Sequence, residues 1–142
     1  MPLPDADLEK AILEKNLLKK ETLKNLLLQA QNQNTTLENL LLSREILPND
    51  VLGNLMAELY GVPYVKLSDK TIPESLLRIV SYTLASHQSL IPFEQKLNEI
   101  HIALSNPHQY ELLNFLEKKT DLKIHRYYAT PKEIKTALKA YN

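Results

Sequence analysis

Cysteine is absent from the 142 residues, which excludes a disulfide framework and any thiolate-bound metal. Glycine occurs only as Gly53 and Gly61, so neither a Gly-rich phosphate loop nor a dinucleotide-binding fingerprint can be written. No apolar run approaches the roughly 18 residues that a membrane-spanning helix needs. The opening Met1-Pro2-Leu3-Pro4-Asp5 is acidic and proline-broken, unlike a basic signal segment. Net charge is zero, which argues against nucleic acid or an anionic membrane surface as partner, and the lack of a long apolar run argues against direct membrane insertion. The chain reads as cytosolic.

Catalytic constellations are missing as well. The histidines are His87, His101, His108 and His125, and none is spaced from another as metal-ligand pairs on a helix are. His101 and His125 would face each other if their strands were neighbours, and an outward-facing surface pair is then preferred over a metal site. No serine stands in a nucleophile-elbow setting. Tyr127-Tyr128 resembles half of a nucleobase-stacking platform. With so slight a basic excess, one tyrosine in the core and one on the surface is the better reading. Glu117-Lys118-Lys119 reads as the solvated end of a helix. Neither enzymatic activity, a cofactor nor a metal is expected of this chain alone.

What is present is a duplication. Apolar residues make up 44% of the chain, enough for a packed core rather than disorder. At an offset of 29 residues Leu8–Ala30 matches Leu37–Leu59: Leu8/Leu37, Ile12/Leu41, Leu13/Leu42, Leu17/Ile46, Leu18/Leu47, Leu23/Leu52 and Leu26/Leu55 coincide, as do the polar pairs Lys15/Arg44 and Gln29/Glu58. One fixed offset marks a repeated supersecondary unit. Each copy has an apolar stripe, an apolar pair and a second stripe, which spells helix, corner, helix. Two such hairpins can bury their stripes on each other.

The predicted fold class is therefore α+β, with a four-helix repeat (two helical hairpins) over residues 1–60 and a small α+β domain over residues 61–142. The first helix runs from Asp5 or Asp7 to about Lys15, with Asn16 as a left-handed cap, and the second from Lys19 to Ala30. Gln29–Asn34 reads as a polar connector. Thr35-x-x-Glu38 is a capping box for the third helix; Pro48 opens the fourth and Gly61 closes it. Three to four short strands and three helices follow. The strand candidates are Pro63–Leu67, Ser89–Phe93, Glu99–Leu104 and Leu122–Ala129, with Gln95–Asn98 as a hairpin loop. The helices are expected from Thr71 to about His87, after Asn106-Pro107 with Leu112, Leu113, Phe115 and Leu116 buried, and after the capping box Thr130-Pro131-Lys132-Glu133. Residues 1–60 hold six basic and nine acidic side chains, a net −3 that residues 61–142 balance.

Six segments carry a family resemblance. They are Leu59–Leu67 (LYGVPYVKL), Ile72–Leu77 (IPESLL), Ala85 with Pro92, Ile102–Pro107 (IALSNP), Thr120–Lys123 (TDLK), and the ending from Ala129 to Tyr141. In this order they resemble the N-terminal domain of type II secretion and type IV pilus assembly ATPases. The resemblance covers nearly the whole chain. It implies a non-catalytic adaptor that docks a RecA-like hexameric motor to an inner-membrane platform protein, placing the domain in the cytoplasm at the inner face of the bacterial inner membrane.

One branch of that family binds cyclic di-GMP through the duplicated helices, each copy opening with Arg-Leu-Gly and carrying a glycine before the corner. Here the openings read Asp7-Leu8-Glu9 and Thr36-Leu37-Glu38, and the corner positions read Asn16 and Glu45. No arginine remains to offer a planar fork of donors, and acids or amides replace the glycines. The resemblance therefore implies a degenerate motif and no cyclic di-GMP binding. The alternatives are a cyclic dinucleotide sensor with an altered motif, and the same module attached to a glycosyltransferase. Partner contact is expected at the edge of the last strand, through Lys123, His125, Arg126 and Tyr127.

Overall fold

A computed structural model describes residues 3–141 of the chain. Four helices come first: α1 (Asp5–Glu14), α2 (Lys20–Asn32), α3 (Leu37–Arg44) and α4 (Asn49–Tyr60). Their stripes meet in one apolar cluster in which Leu8, Ile12, Leu37, Leu41 and Met56 have no exposed surface. Both corners turn through a left-handed residue, Asn16 at φ 54° and Glu45 at φ 52°. Gly61, at φ 80°, ends α4 in the same conformation.

Two boundaries differ from the sequence reading. Helix α2 continues through Asn32 because Ala30, one turn beyond Leu26, is itself buried and extends the stripe. Helix α3 is capped by Thr36, whose Oγ1 accepts from Asn39 N at 3.1 Å. Glu38 is thereby freed from a capping role and turns inward.

Beyond a 3₁₀ turn (Leu67–Asp69), the chain forms α5 (Glu74–Leu77), α6 (Tyr82–Gln88), β1 (Leu90–Lys96), β2 (Glu99–Leu104), α7 (Tyr110–Thr120), β3 (Lys123–Tyr128) and α8 (Pro131–Ala137), then a 3₁₀ turn at Leu138–Tyr141. The sheet order is β1-β2-β3; β1 and β2 are an antiparallel hairpin, and β3 returns parallel to β2 through α7. Ile100, Ile102 and Leu104 point one way, into a second apolar cluster with Leu113 and Leu116 of α7. Tyr128 belongs instead to the helical cluster, so the last residue of the sheet plugs the four-helix core.

Three expectations are corrected here. The single helix foreseen over Thr71–His87 is two helices, because Ser81 caps a new start by accepting from Leu84 N at 3.2 Å. Pro63–Leu67 is not a strand; it makes one parallel bridge, Val65 N donating to Tyr128 O and Tyr128 N to Pro63 O. Phe115 is not core: it is 56% exposed while Leu113 and Leu116 hold α7 to the sheet. The capping box at Thr130 forms as read, with Glu133 N donating to Thr130 Oγ1 and Thr130 N to Glu133 Oε1.

Candidate functional site at the helical corners and the junction

The two corners build matching clefts. Leu13, Asn16, Leu17, Leu18, Lys19 and Lys20 line one of 420 Å³. Their repeat mates Leu42, Glu45, Ile46, Leu47, Pro48 and Asn49, joined by Leu41, Leu52 and Lys132, line the other, of 440 Å³. The signal for them lay in the sequence, since every corner residue keeps the 29-residue offset. The charges do not repeat. Lys132 of α8 pairs with Glu45 across the second corner, and that lysine holds the exposed carboxyl below its usual range. Among the described residues no such strap crosses the first corner, which presents Lys19 and Lys20.

Between the copies the polar contacts are reciprocal. Lys15 Nζ lies 3.1 Å from Glu58 Oε2. Arg44, the mate of Lys15, donates to Gln29, the mate of Glu58. Such exposed pairs contribute little stability, but they report that the copies meet through the same surface.

At the other end of α3, a polar cluster joins the halves. Glu38 is buried; its carboxylate accepts from Leu3 N at 3.3 Å and from Tyr60 OH at 3.0 Å. Burial raises the Glu38 pKa above the usual carboxylate value, and the two hydrogen bonds oppose that shift. The Tyr60 phenol is pushed up by burial and by Glu38. Tyr60 stacks on Tyr128, their centroids 5.6 Å apart, and the Tyr128 hydroxyl is buried without a partner. His108 Nε2 donates to the Tyr60 carbonyl at 3.0 Å, and the His108 ring stacks on Tyr110. A ladder of rings thus runs from the buried sheet end to an exposed tyrosine.

A second tie lies beside it. Tyr64 OH donates to Glu133 Oε2 at 2.8 Å, while Thr130 Oγ1, fully buried, donates to Asn49 Oδ1 at 3.0 Å. Asn49 and Lys132 also line a cleft of 480 Å³ in which Gln33, Thr35, Asn39 and Ser43 alternate with Leu40, Leu42 and Pro131.

The residues expected to bind a partner are spread over both faces of β3. Lys123 is exposed. His125 donates to Glu99 Oε1 at 2.9 Å, which lowers the Glu99 pKa. Arg126 Nη1 donates to Pro107 O at 2.7 Å, and its guanidinium covers the Tyr110 ring. Tyr127 is half-buried between Phe93 and His101. The outer edge of β3 is partly closed, since Ile124 N donates to Glu117 Oε2 at 2.8 Å and Tyr128 N to Pro63 O. His101 and His125 are register partners with centroids 5.2 Å apart. His101 Nδ1 lies 3.2 Å from Glu94 Oε1 without hydrogen-bond alignment. Among the described residues, no three His, Asp or Glu side chains are grouped as a metal site requires.

The family model described as the MshEN domain matches residues 60–142. The chain belongs to this family. Solved MshEN-type folds superpose along its length. A structure of MshE with cyclic di-GMP has a TM-score of 0.74 at 18% identity, covering 95% of this chain and 98% of the other. Two crystal forms of the N-terminal domain of XpsE give 0.68 and 0.58 at 19% identity, over 99% and 100% of this chain and 99% of each solved chain. No curated protein matches. The MshEN domain is the N-terminal domain of type II secretion and type IV pilus assembly ATPases, the family that the six sequence segments resembled. Among the described residues of this MshEN domain, no helix is long and apolar enough to cross a membrane.

Proposed function

We propose that this MshEN domain is a non-catalytic adaptor, which docks a secretion or pilus ATPase motor to its inner-membrane platform protein. In this reading it works at the cytoplasmic face of the bacterial inner membrane, held there by the partner. Residues 1–60 and 61–142 act as two units joined at Tyr128. The domain neither binds nor hydrolyses ATP, because its two glycines cannot line a phosphate cradle.

The observation that carries the reading over ligand sensing is Glu38. It occupies the last position of the second motif opening, where the cyclic di-GMP-binding branch has glycine. Its carboxylate is turned into the core onto Tyr60 and Leu3. That position serves the fold here, and the mate Glu9 adds an acid at the other opening.

The second reading, a cyclic dinucleotide sensor, draws on the paired corner clefts and on the neighbouring MshE structure with cyclic di-GMP. Two titrations decide between them. The purified cytoplasmic domain of the platform protein should bind the chain, and cyclic di-GMP should give no saturable heat. Ligand at about a hundred times its dissociation constant would stabilise by roughly 2.7 kcal/mol, so a clear rise in melting temperature with cyclic di-GMP would establish the sensor instead.

A further inference from the structure

Tyr128 joins the two halves with one of its groups unprovided for. Among the described residues it is the one buried side chain of residues 61–142 that belongs to the helical cluster, with Val62 and Tyr64 packed against that cluster. Its ring is fully buried and stacks on Tyr60, yet its hydroxyl has no hydrogen-bond partner there. The neighbouring phenol is satisfied, since Tyr60 OH donates to Glu38 Oε2. A hydroxyl buried unpaired forfeits the hydrogen bonds that water would give it. The hydroxyl of Tyr128 therefore works against the packing that its ring provides.

The rest of the joint is slight. Its polar ties are Thr130 Oγ1 to Asn49 Oδ1 at 3.0 Å, the His108 ring to the Tyr60 carbonyl at 3.0 Å, and the exposed Lys132–Glu45 pair. Tyr64 fills the space beside Gly53, which has no side chain to interlock with it. The main chain passes from one half to the other at Gly61, left-handed at φ 80°. Apart from its chain neighbours, nothing lies within 4 Å of where a Cβ would stand on Gly61. Units held by a small, partly polar contact move relative to each other. A glycine in open space at the single crossing is a place where such a movement can turn.

We infer that Tyr128 is a latch: residues 61–142 swing about Gly61, the Tyr128 ring leaves the helical core, and its hydroxyl then reaches water. In the closed arrangement the ring is packed and the hydroxyl unpaired. In the open one the hydroxyl is hydrated and the ring has lost its packing. Ring and hydroxyl pull in opposite directions, which keeps the two arrangements close in free energy. The latch belongs to the chain alone and goes beyond the adaptor reading, since it needs no partner.

The chain has no cysteine, so spin labels can be attached at introduced ones alone. Leu28→Cys on α2 with Phe115→Cys on α7 spans the joint, while Leu97→Cys with Phe115→Cys lies within residues 61–142; all three positions are exposed. Double electron–electron resonance should give two distances across the joint and one within the α+β half. Tyr128→Phe keeps the ring and removes the hydroxyl. In the labelled chain it should reduce the open fraction about tenfold, and in the unlabelled chain it should raise the melting temperature. A single distance across the joint overturns the latch, and so does a second distance within the α+β half. Two distances across the joint that Tyr128→Phe leaves unchanged overturn the role of Tyr128. A melting temperature lowered by Tyr128→Phe would show that the hydroxyl has a partner, such as a buried water, and overturns that role as well.

Discussion

The Tyr64 ring fills the space beside Gly53, where a Cβ would stand 2.3 Å from Tyr64 Cε1. Glycine inside a helix ordinarily costs about 1 kcal/mol relative to alanine, so Gly53→Ala would be stabilising on an open helix. Here the added methyl must displace a ring whose hydroxyl is bonded to Glu133 of α8. Urea unfolding should show Gly53→Ala destabilised by roughly 1–3 kcal/mol. In a Tyr64→Leu background the same substitution should regain most of that loss. A stabilised Gly53→Ala single variant would show that Tyr64 moves aside freely.

Glu38 makes stability depend on pH in a known direction. Burial raises its folded pKa above 4.5, so the folded chain holds this proton to higher pH than the unfolded chain does. Its contribution is fully present below the unfolded pKa and is lost as pH rises through the folded one. Measured against Glu38→Gln, in which the other carboxyls cancel, the wild-type chain should lose relative stability on going upward from about pH 4.5. A difference that is flat with pH, or that grows the other way, contradicts a buried carboxyl.

Ile12, Leu26, Leu41 and Leu55 are repeat mates in pairs and all lie in the helical cluster, none more than 5% exposed. Truncating any one to alanine should cost about 2–5 kcal/mol. Chemical denaturation of the four single variants measures this directly. Losses near zero at all four would mean that the stripes are not packed on each other in solution.

Leu97, at the tip of the β1–β2 hairpin, is 94% exposed and sits at φ 50°. A left-handed backbone costs a residue with a bulky side chain roughly 1–2 kcal/mol, and no burial offsets it. Leu97→Asn should raise the melting temperature, because asparagine tolerates this conformation far better. A fall on substitution would reveal a contact for Leu97 within the domain.

Much of this was legible beforehand, for reasons that are local. The 29-residue offset displayed the hairpins and their corners, Asn16 showed a left-handed cap, and Ile100, Ile102 and Leu104 alternated as a half-buried strand does. Thr130 and Glu133 sit three residues apart and need no one else. What escaped the sequence depends on distant partners. Glu38 carried the signature of a helix cap, but Tyr60 and Leu3 competed for its carboxylate and won. Phe115 fell beside a stripe that Leu113 and Leu116 already filled. Arg126 and Tyr127 could be placed on a strand, whereas Pro107, Phe93 and His101, which occupy their side chains, lie remote in sequence.

The exchange of Lys15–Glu58 for Arg44–Gln29 is the contact pattern of a symmetric dimer, written within one polypeptide. In a true dimer every substitution is made twice, and both ends stay alike for as long as the assembly lasts. Fusion ends that obligation. One corner of the bundle carries Asn16 with Lys19 and Lys20, and the other carries Glu45, Pro48 and a strap from Lys132. Their shapes still correspond while their charges have parted, so whatever approaches along the local axis meets a head and a tail.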